Sequence, residues 1–252
     1  METFESLAAA DRKSPLAADD LERLATAAYM IGREDEYVSA LERTHRLCLD
    51  EGDVLRAARS AFWAGLSLAL RGETARASGW FGRARRLLER DERDCVERGY
   101  LLLPVAIQLE AAGDLDAWHA TARAATEFGE RFGDPDLTAL AVHEQGRALT
   151  KQGRVEEGLG LLDEVMIGVA AGEFSPIVTG LLYCSVIDGC HEVFAVRRAS
   201  EWTAALSRWC EQQPDMVAFT GRCLAHRAEL MQLRGAWTDA LQEPSAQPSA
   251  RR

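Results

Sequence analysis

Cys190-His191 is the first place in this sequence of 252 residues where residue types and spacing could do chemistry. A thiol becomes an activated nucleophile when an imidazole lies within hydrogen-bond reach. Adjacent residues on a helix point about 100° apart and do not face each other. The pair therefore predicts a packed cysteine beside a partly exposed histidine. HEVFA at His191 and HEQGR at His143 both open like the zinc-protease motif HExxH, but Ala195 and Arg147 stand where the second histidine belongs. One ligand does not make a zinc site, and no Cys/His cluster in the sequence offers four. Neither a GxxxxGKS/T phosphate loop nor a GxSxG elbow occurs. The chain is read as non-enzymatic, with no metal and no cofactor; a groove site near Cys190 is the enzymatic alternative.

Bulk properties narrow the class. The composition is 47% hydrophobic and 27% charged, as in a folded globular chain with a sizeable core. Helix-favouring Ala, Leu, Arg and Glu dominate, and β-branched and aromatic residues are sparse, which disfavours a sheet. Net charge is −11, opposite to the basic footprint of direct nucleic-acid binding, and Arg83, Arg85 and Arg86 read as a solvated helix face. The longest apolar stretches run to roughly ten residues, where a membrane span needs about 20. METFESLAAADRKSPL has no basic leader followed by an apolar run, so a cytoplasmic location is expected. Six scattered cysteines without a CxxC pair are expected to be reduced and packed as small apolar residues. The six tryptophans are expected in the core.

Elements that could position such residues come from an internal repeat. AAYMIGREDEYV, LSLALRGETARA, IQLEAAGDLDAW, RALTKQGRVEEG and LMQLRGAWTDAL each place a Gly between an apolar helical run and a new polar-to-apolar one. The glycines are Gly32, Gly72, Gly113, Gly153 and Gly235, with spacings of 40, 41, 40 and 82. The double gap implies a sixth turn near residue 195, where Ala195 stands in HEVFAVRRASEWTAAL. Gly suits a left-handed helix C-cap. Asp134-Pro135 and Ser175-Pro176 read as an N-cap followed by Pro at the first helical position. Small residues recur seven before the Gly (Ala25, Gly65, Ala106, Gly146, Ala228), five after it (Ala77, Gly158, Ala240) and twelve after it (Thr44, Ala84, Ala125), which lets helices approach closely. Bulky Tyr37 and Trp118 break the five-after rule.

This pattern resembles the tetratricopeptide repeat, with a longer period than the usual 34. The resemblance implies an all-α, right-handed solenoid of about six antiparallel helix pairs, the last incomplete. Residues 1–17 are expected as a lead-in, 18–243 as the repeat domain and 244–252 as a disordered, Pro/Ser-rich tail. Ser175 to Leu241, DDLERLATAAYMIGRED and ARSAFWAGLSLALRGETARA also resemble the repeat region of large actinobacterial LuxR-type transcription regulators. That likeness implies a regulatory module, here without the family's ATPase part or helix-turn-helix. WTDALQE opens a second helix that Pro244 ends, so the sixth repeat reads as cut short, with Leu224, Leu230 and Leu233 on an exposed flank inviting self-association. A free-standing scaffold unrelated to transcription is the alternative.

In such stacks the first helix of each pair lines the concave face, a default site for a protein or peptide ligand. Transferred here, the face comprises Arg59, Phe62, Tyr100, His143, Arg147, Lys151, Tyr183, Arg222 and Glu229. Arg147 and Lys151, four apart, could clamp a ligand carboxylate.

Overall fold

Six helical hairpins follow one another along the chain, and each owes its bend to one left-handed residue. The computed structural model describes residues 1–213, 215–233 and 235–242; all their regular elements are helices. After α1 (Glu2–Asp11), the pairs are α2 (Ala18–Met30) with α3 (Glu34–Asp50), α4 (Val54–Leu70) with α5 (Thr74–Arg90), and α6–α7 (Val96–Tyr100, Leu102–Ala112) with α8 (Leu115–Phe132). Then come α9 (Pro135–Lys151) with α10 (Val155–Ala171), α11 (Pro176–Glu192) with α12 (Val196–Glu211), and α13 (Thr220–Leu233) with α14 (Trp237–Gln242). The predicted tail 244–252 lies outside the described residues.

Gly32, Gly72, Gly113, Gly153 and Gly235 all take φ between 75° and 84°. The fifth turn corrects the sequence expectation. Its left-handed residue is Phe194, with φ 56°, one position before Ala195. Its bonds match those of the fourth turn. Ala195 N–H donates to Cys190 O at 2.8 Å as Arg154 N–H does to Leu149 O at 2.9 Å. Phe194 N–H donates to His191 O, and Gly153 N–H to Thr150 O, both at 3.1 Å. Counted from Phe194 the period stays at 40 or 41 throughout, and Ala199, five further on, is fully buried at the small-residue position. A Cβ in this conformation costs about 1–2 kcal/mol.

Close packing follows the small residues. A Cβ on Gly158 would stand 2.5 Å from the Gly146 carbonyl oxygen, so α9 and α10 touch backbone to backbone. Trp118, bulky at the same offset, is accommodated by complete burial and by an indole N–H donated to Glu144 Oε2 at 2.8 Å. The first helix of the third pair breaks at Leu101 because Pro104 has no N–H for the Tyr100 carbonyl. Asp134 caps α9 through Leu137 N–H at 2.9 Å, whereas Ser175 makes no side-chain cap. Trp118 is core, Trp63, Trp80, Trp202 and Trp209 are half-buried against it, and Trp237 is exposed, contrary to the core expectation.

The N-terminal lead-in is itself helical. Phe4 joins the apolar cluster of α2 and α3, and Arg43 donates two 2.6 Å bonds to Asp11. The stack also curls far enough for its fifth and sixth pairs to reach its first. Val217 and Ala218 N–H both donate to Met30 O, at 2.8 and 3.2 Å, satisfying a carbonyl that the end of α2 would leave unpaired. Phe219 packs on Tyr29 at 5.9 Å, and Ile177 of α11 joins the α2–α3 cluster.

Candidate functional site

This curl encloses a pocket of about 590 Å³ on the inner side of the stack. Its walls come from α2 (Glu22, Thr26), α4 (Arg56, Arg59, Trp63), α6 (Glu97, Tyr100) and the opening residues of α9 and α11 (Asp136, Ile177). First helices of successive pairs start near one level, and their N-terminal turns favour acidic side chains. Those carboxylates therefore collect around the arginines of α4.

Arg59 is the hub. It donates to Glu97 Oε1 at 2.9 Å and to Asp134 Oδ2 at 3.3 Å, and its guanidinium lies 4.6 Å from the centre of the Tyr100 ring. Tyr100 donates its hydroxyl to Asp134 Oδ1 at 2.9 Å. Burial works against the Arg59 cation, but Tyr100, Glu97 and Asp134 outweigh it and hold the pKa above its ordinary value. Burial pushes the Tyr100 phenol far up, and Asp134 adds to it, so Tyr100 remains a donor. Arg56 is held by Glu22 through bonds of 2.6 and 2.8 Å and by Asp19 at 2.5 Å. Glu97 Oε2 is buried without a hydrogen-bond partner, in a lining carboxylate whose side chain is only 10% exposed. Trp63 and Tyr100 form the aromatic wall, packed edge-on or tilted against each other and against Phe62 behind them with ring centres 5.0–6.0 Å apart. The arrangement suits a ligand offering a hydrogen-bond donor to Glu97 and an apolar group to Trp63.

The expected groove residues separate into several places. Arg59 and Tyr100 line the pocket, and Phe62 stands behind them as a core side chain rather than an open one. His143 is likewise buried, with Nδ1 at 3.3 Å from Glu144 Oε1. Burial raises the Glu144 pKa, but bonds from His143 and Trp118 prevail and bring it below its usual range. Tyr183 is buried against Trp209 at 5.8 Å. Arg147 and Lys151 do share a face, but they already clamp the chain's own Glu192, at 3.1 and 2.7 Å, with Arg147 also reaching Glu110 at 3.0 Å. Arg222 engages Asp188, and Glu229 lies between His191 and His226. Phe62, His143 and Tyr183 are therefore packed inside, and Tyr100 is buried as well although its edge lines the pocket, because curling turns the first helices towards each other rather than towards open solvent.

The pocket's Glu22, Trp63, Glu97 and Asp136 were not singled out from sequence. Asp134 was visible only as a cap, and it serves Arg59 and Tyr100 as well. Cys190 is fully buried and burial pushes its thiol up to about 12, the reverse of activation. Its neighbour His191 aims Nδ1 at Glu229. The predicted flank is mixed: Leu230 is buried, Leu224 half-buried and Leu233 exposed. No described helix is long and apolar enough to cross a membrane.

No protein-family model and no curated protein matches this chain. Solved structures do match. The crystal structure of the apo form of RapI superposes with a TM-score of 0.50 at 11% identity, over 95% of this chain and 66% of RapI, so the chain spans about two thirds of that protein's length. The chain thus has the fold of a tetratricopeptide-like stack of helix pairs, similar to that of RapI.

Proposed function

We propose that this chain is a non-enzymatic module that binds a protein or peptide segment in the central pocket. The observation that carries the proposal is the buried Glu97 carboxylate, one oxygen of which has no partner, beside an aromatic wall in a pocket of about 590 Å³. Buried polar atoms are normally satisfied, and an unpaired acceptor costs about 1–3 kcal/mol, so a ligand N–H placed there gains more than it would at the surface. A peptide offers such donors together with apolar side chains. The wider setting follows from the sequence resemblance. The module serves as the regulatory repeat region of a LuxR-type transcription regulator, acting in the cytoplasm through a protein partner and not through nucleic-acid contact of its own.

Display of random peptides on phage, panned against the whole chain, tests the site. Selected peptides should lose binding to Thr26→Phe, which fills the pocket, and to Glu97→Gln, while retaining it for the outer-surface variant Ile167→Ser. Peptides that bind all three variants equally would refute the pocket as the site.

A further inference from the structure

Away from the pocket, α11 and α13 carry the same chemistry in mirrored order. Asp188 and His191 lie on α11, and His226 and Glu229 on α13. Residues three apart share a helix face, so each helix presents one carboxylate and one imidazole to the other. Glu229 Oε2 stands 3.3 Å from His191 Nδ1 and 3.4 Å from His226 Nδ1. Asp188 Oδ1 stands 3.8 Å from that same His226 nitrogen. One ligand atom each from Asp188, His226 and Glu229 all lie within 4.8 Å of one another. We propose that these four side chains form a binding site for a divalent transition metal ion of the zinc class, joining the fifth helix pair to the sixth.

Three features point to a cation rather than to hydrogen bonds alone. The first is distance. Ligands about 2.0–2.2 Å from a tetrahedral zinc ion are separated from one another by about 3.3–3.6 Å; Glu229 stands at that spacing from both imidazoles, with Asp188 a little wider at 3.8 Å from His226, whereas charge-assisted N–H to carboxylate bonds are nearer about 2.7–2.9 Å. The second is proton count. His226 Nδ1 carries at most one hydrogen, yet two carboxylate oxygens converge on it, and one of these also faces His191. A divalent ion between them accepts a lone pair from each of these facing atoms at once. The third is burial. The His226 side chain is fully buried, so its Nδ1 and the carboxylates facing it are shielded from water, while ligation through Nδ1 leaves the buried Nε2–H of both rings unpaired, a cost the ion must offset. Arg222 occupies the other oxygen of Asp188, orienting that carboxylate and leaving Oδ1 for the ion. Two imidazoles with two carboxylates suit Zn²⁺, Co²⁺ or Ni²⁺ better than Mg²⁺ or Ca²⁺, which prefer all-oxygen shells. The loop from 215 to 219, which closes the stack onto α2, leads directly into α13, so an ion here stiffens that closure.

Untagged, chelator-stripped protein titrated with Co²⁺ tests the site. The expected result is one Co²⁺ per chain, an intense visible absorption of a tetrahedral site, its loss on adding Zn²⁺, and a rise in Tm with either ion. Glu229→Gln and His191→Asn, both at partly exposed positions, should each weaken Co²⁺ binding at least about tenfold while leaving the helical circular dichroism of the metal-free chain intact. The exposed control Glu201→Gln should bind as the parent does. Absence of stoichiometric Co²⁺ and Zn²⁺ binding would overturn the proposal. So would binding that persists undiminished in both variants, because the ion would then sit on surface carboxylates elsewhere.

Discussion

Two clusters on the first helices of this stack gather carboxylates and answer them differently. Around the pocket, Glu97 and Asp134 meet the permanent cation Arg59, whose planar fork reaches both. Between α11 and α13, Asp188 and Glu229 meet imidazoles, which bring at most one proton to each Nδ1. The carboxylates of the Arg59 cluster are the more deeply buried: Glu97 and Asp134 are 10% and 15% exposed, against 34% and 45% for Asp188 and Glu229. The difference teaches that acidic side chains at similar places in a repeat do not share a role. A half-buried guanidinium locks helices together, whereas carboxylates around imidazoles leave coordination open.

The comparison can be broken by substitution. Arg59→Ala should have the largest effect, because it strands the buried Glu97 carboxylate and takes the cation from Asp134, which keeps its bonds from Tyr100 and Leu137; a loss of about 3 kcal/mol in urea unfolding is expected. Arg59→Lys should recover part of it, since one ammonium cannot span both partners. Equal stability of Arg59→Ala and the parent would remove the distinction between the clusters.

The next effect is on pH dependence. Burial is the main cause that lowers the pKa of His45, with Arg83 and Arg46 adding to it and the Ala57 carbonyl opposing. Burial likewise lowers His119 and His226. A histidine whose folded pKa lies below its unfolded value of about 6.5 binds more protons when unfolded. Its stabilising share is complete above that pH and is lost as pH falls through the folded pKa. Urea midpoints should therefore hold steady from pH 8 to 7 and fall from 6.5 to 5, and His45→Gln should flatten that fall.

Smaller again is the fifth turn. Phe194→Gly removes a Cβ from a left-handed position and should raise stability by about 1 kcal/mol, about 2–4 °C in Tm. An unchanged or lower Tm would show that Phe194, though 78% exposed, makes compensating contacts. The smallest effect belongs to Arg222→Ala in the metal-free chain, below about 1 kcal/mol for a half-exposed ion pair. A loss matching that of Arg59→Ala would make the two clusters equivalent after all.

Much of the fold was legible because local chemistry writes it. The left-handed cap leaves a Gly every 40 or 41 residues, and close helix approach leaves Gly146 and Gly158. The fifth turn was misplaced by one residue because Phe194 lacks that signature, while bonds from the Phe194 and Ala195 N–H groups to α11 carbonyls close the same turn. The candidate sites were far less legible. Arg59 and Tyr100 were found as members of a face, but Glu97 and Asp136, single acids near helix N-termini, carry no pattern that singles them out. Glu229 and Arg222 were assigned to a groove, and His191 was weighed only beside Cys190 and as the start of an incomplete HExxH motif. The mirrored spacing of Asp188 with His191 and His226 with Glu229 was present in the sequence, yet nothing there said that α11 and α13 meet at that level.

The sequence by itself determined the helices, their pairing into hairpins and the acidic balance, because capping, periodicity and charge act over a few residues. Only the tertiary structure decided how far the stack curls, that residues 217–219 would dock on Met30 and Tyr29, and which charged side chains would end in a pocket, a core or a metal-like cluster. Small differences in crossing angle at each helix pair accumulate over six repeats, and no local pattern encodes their sum.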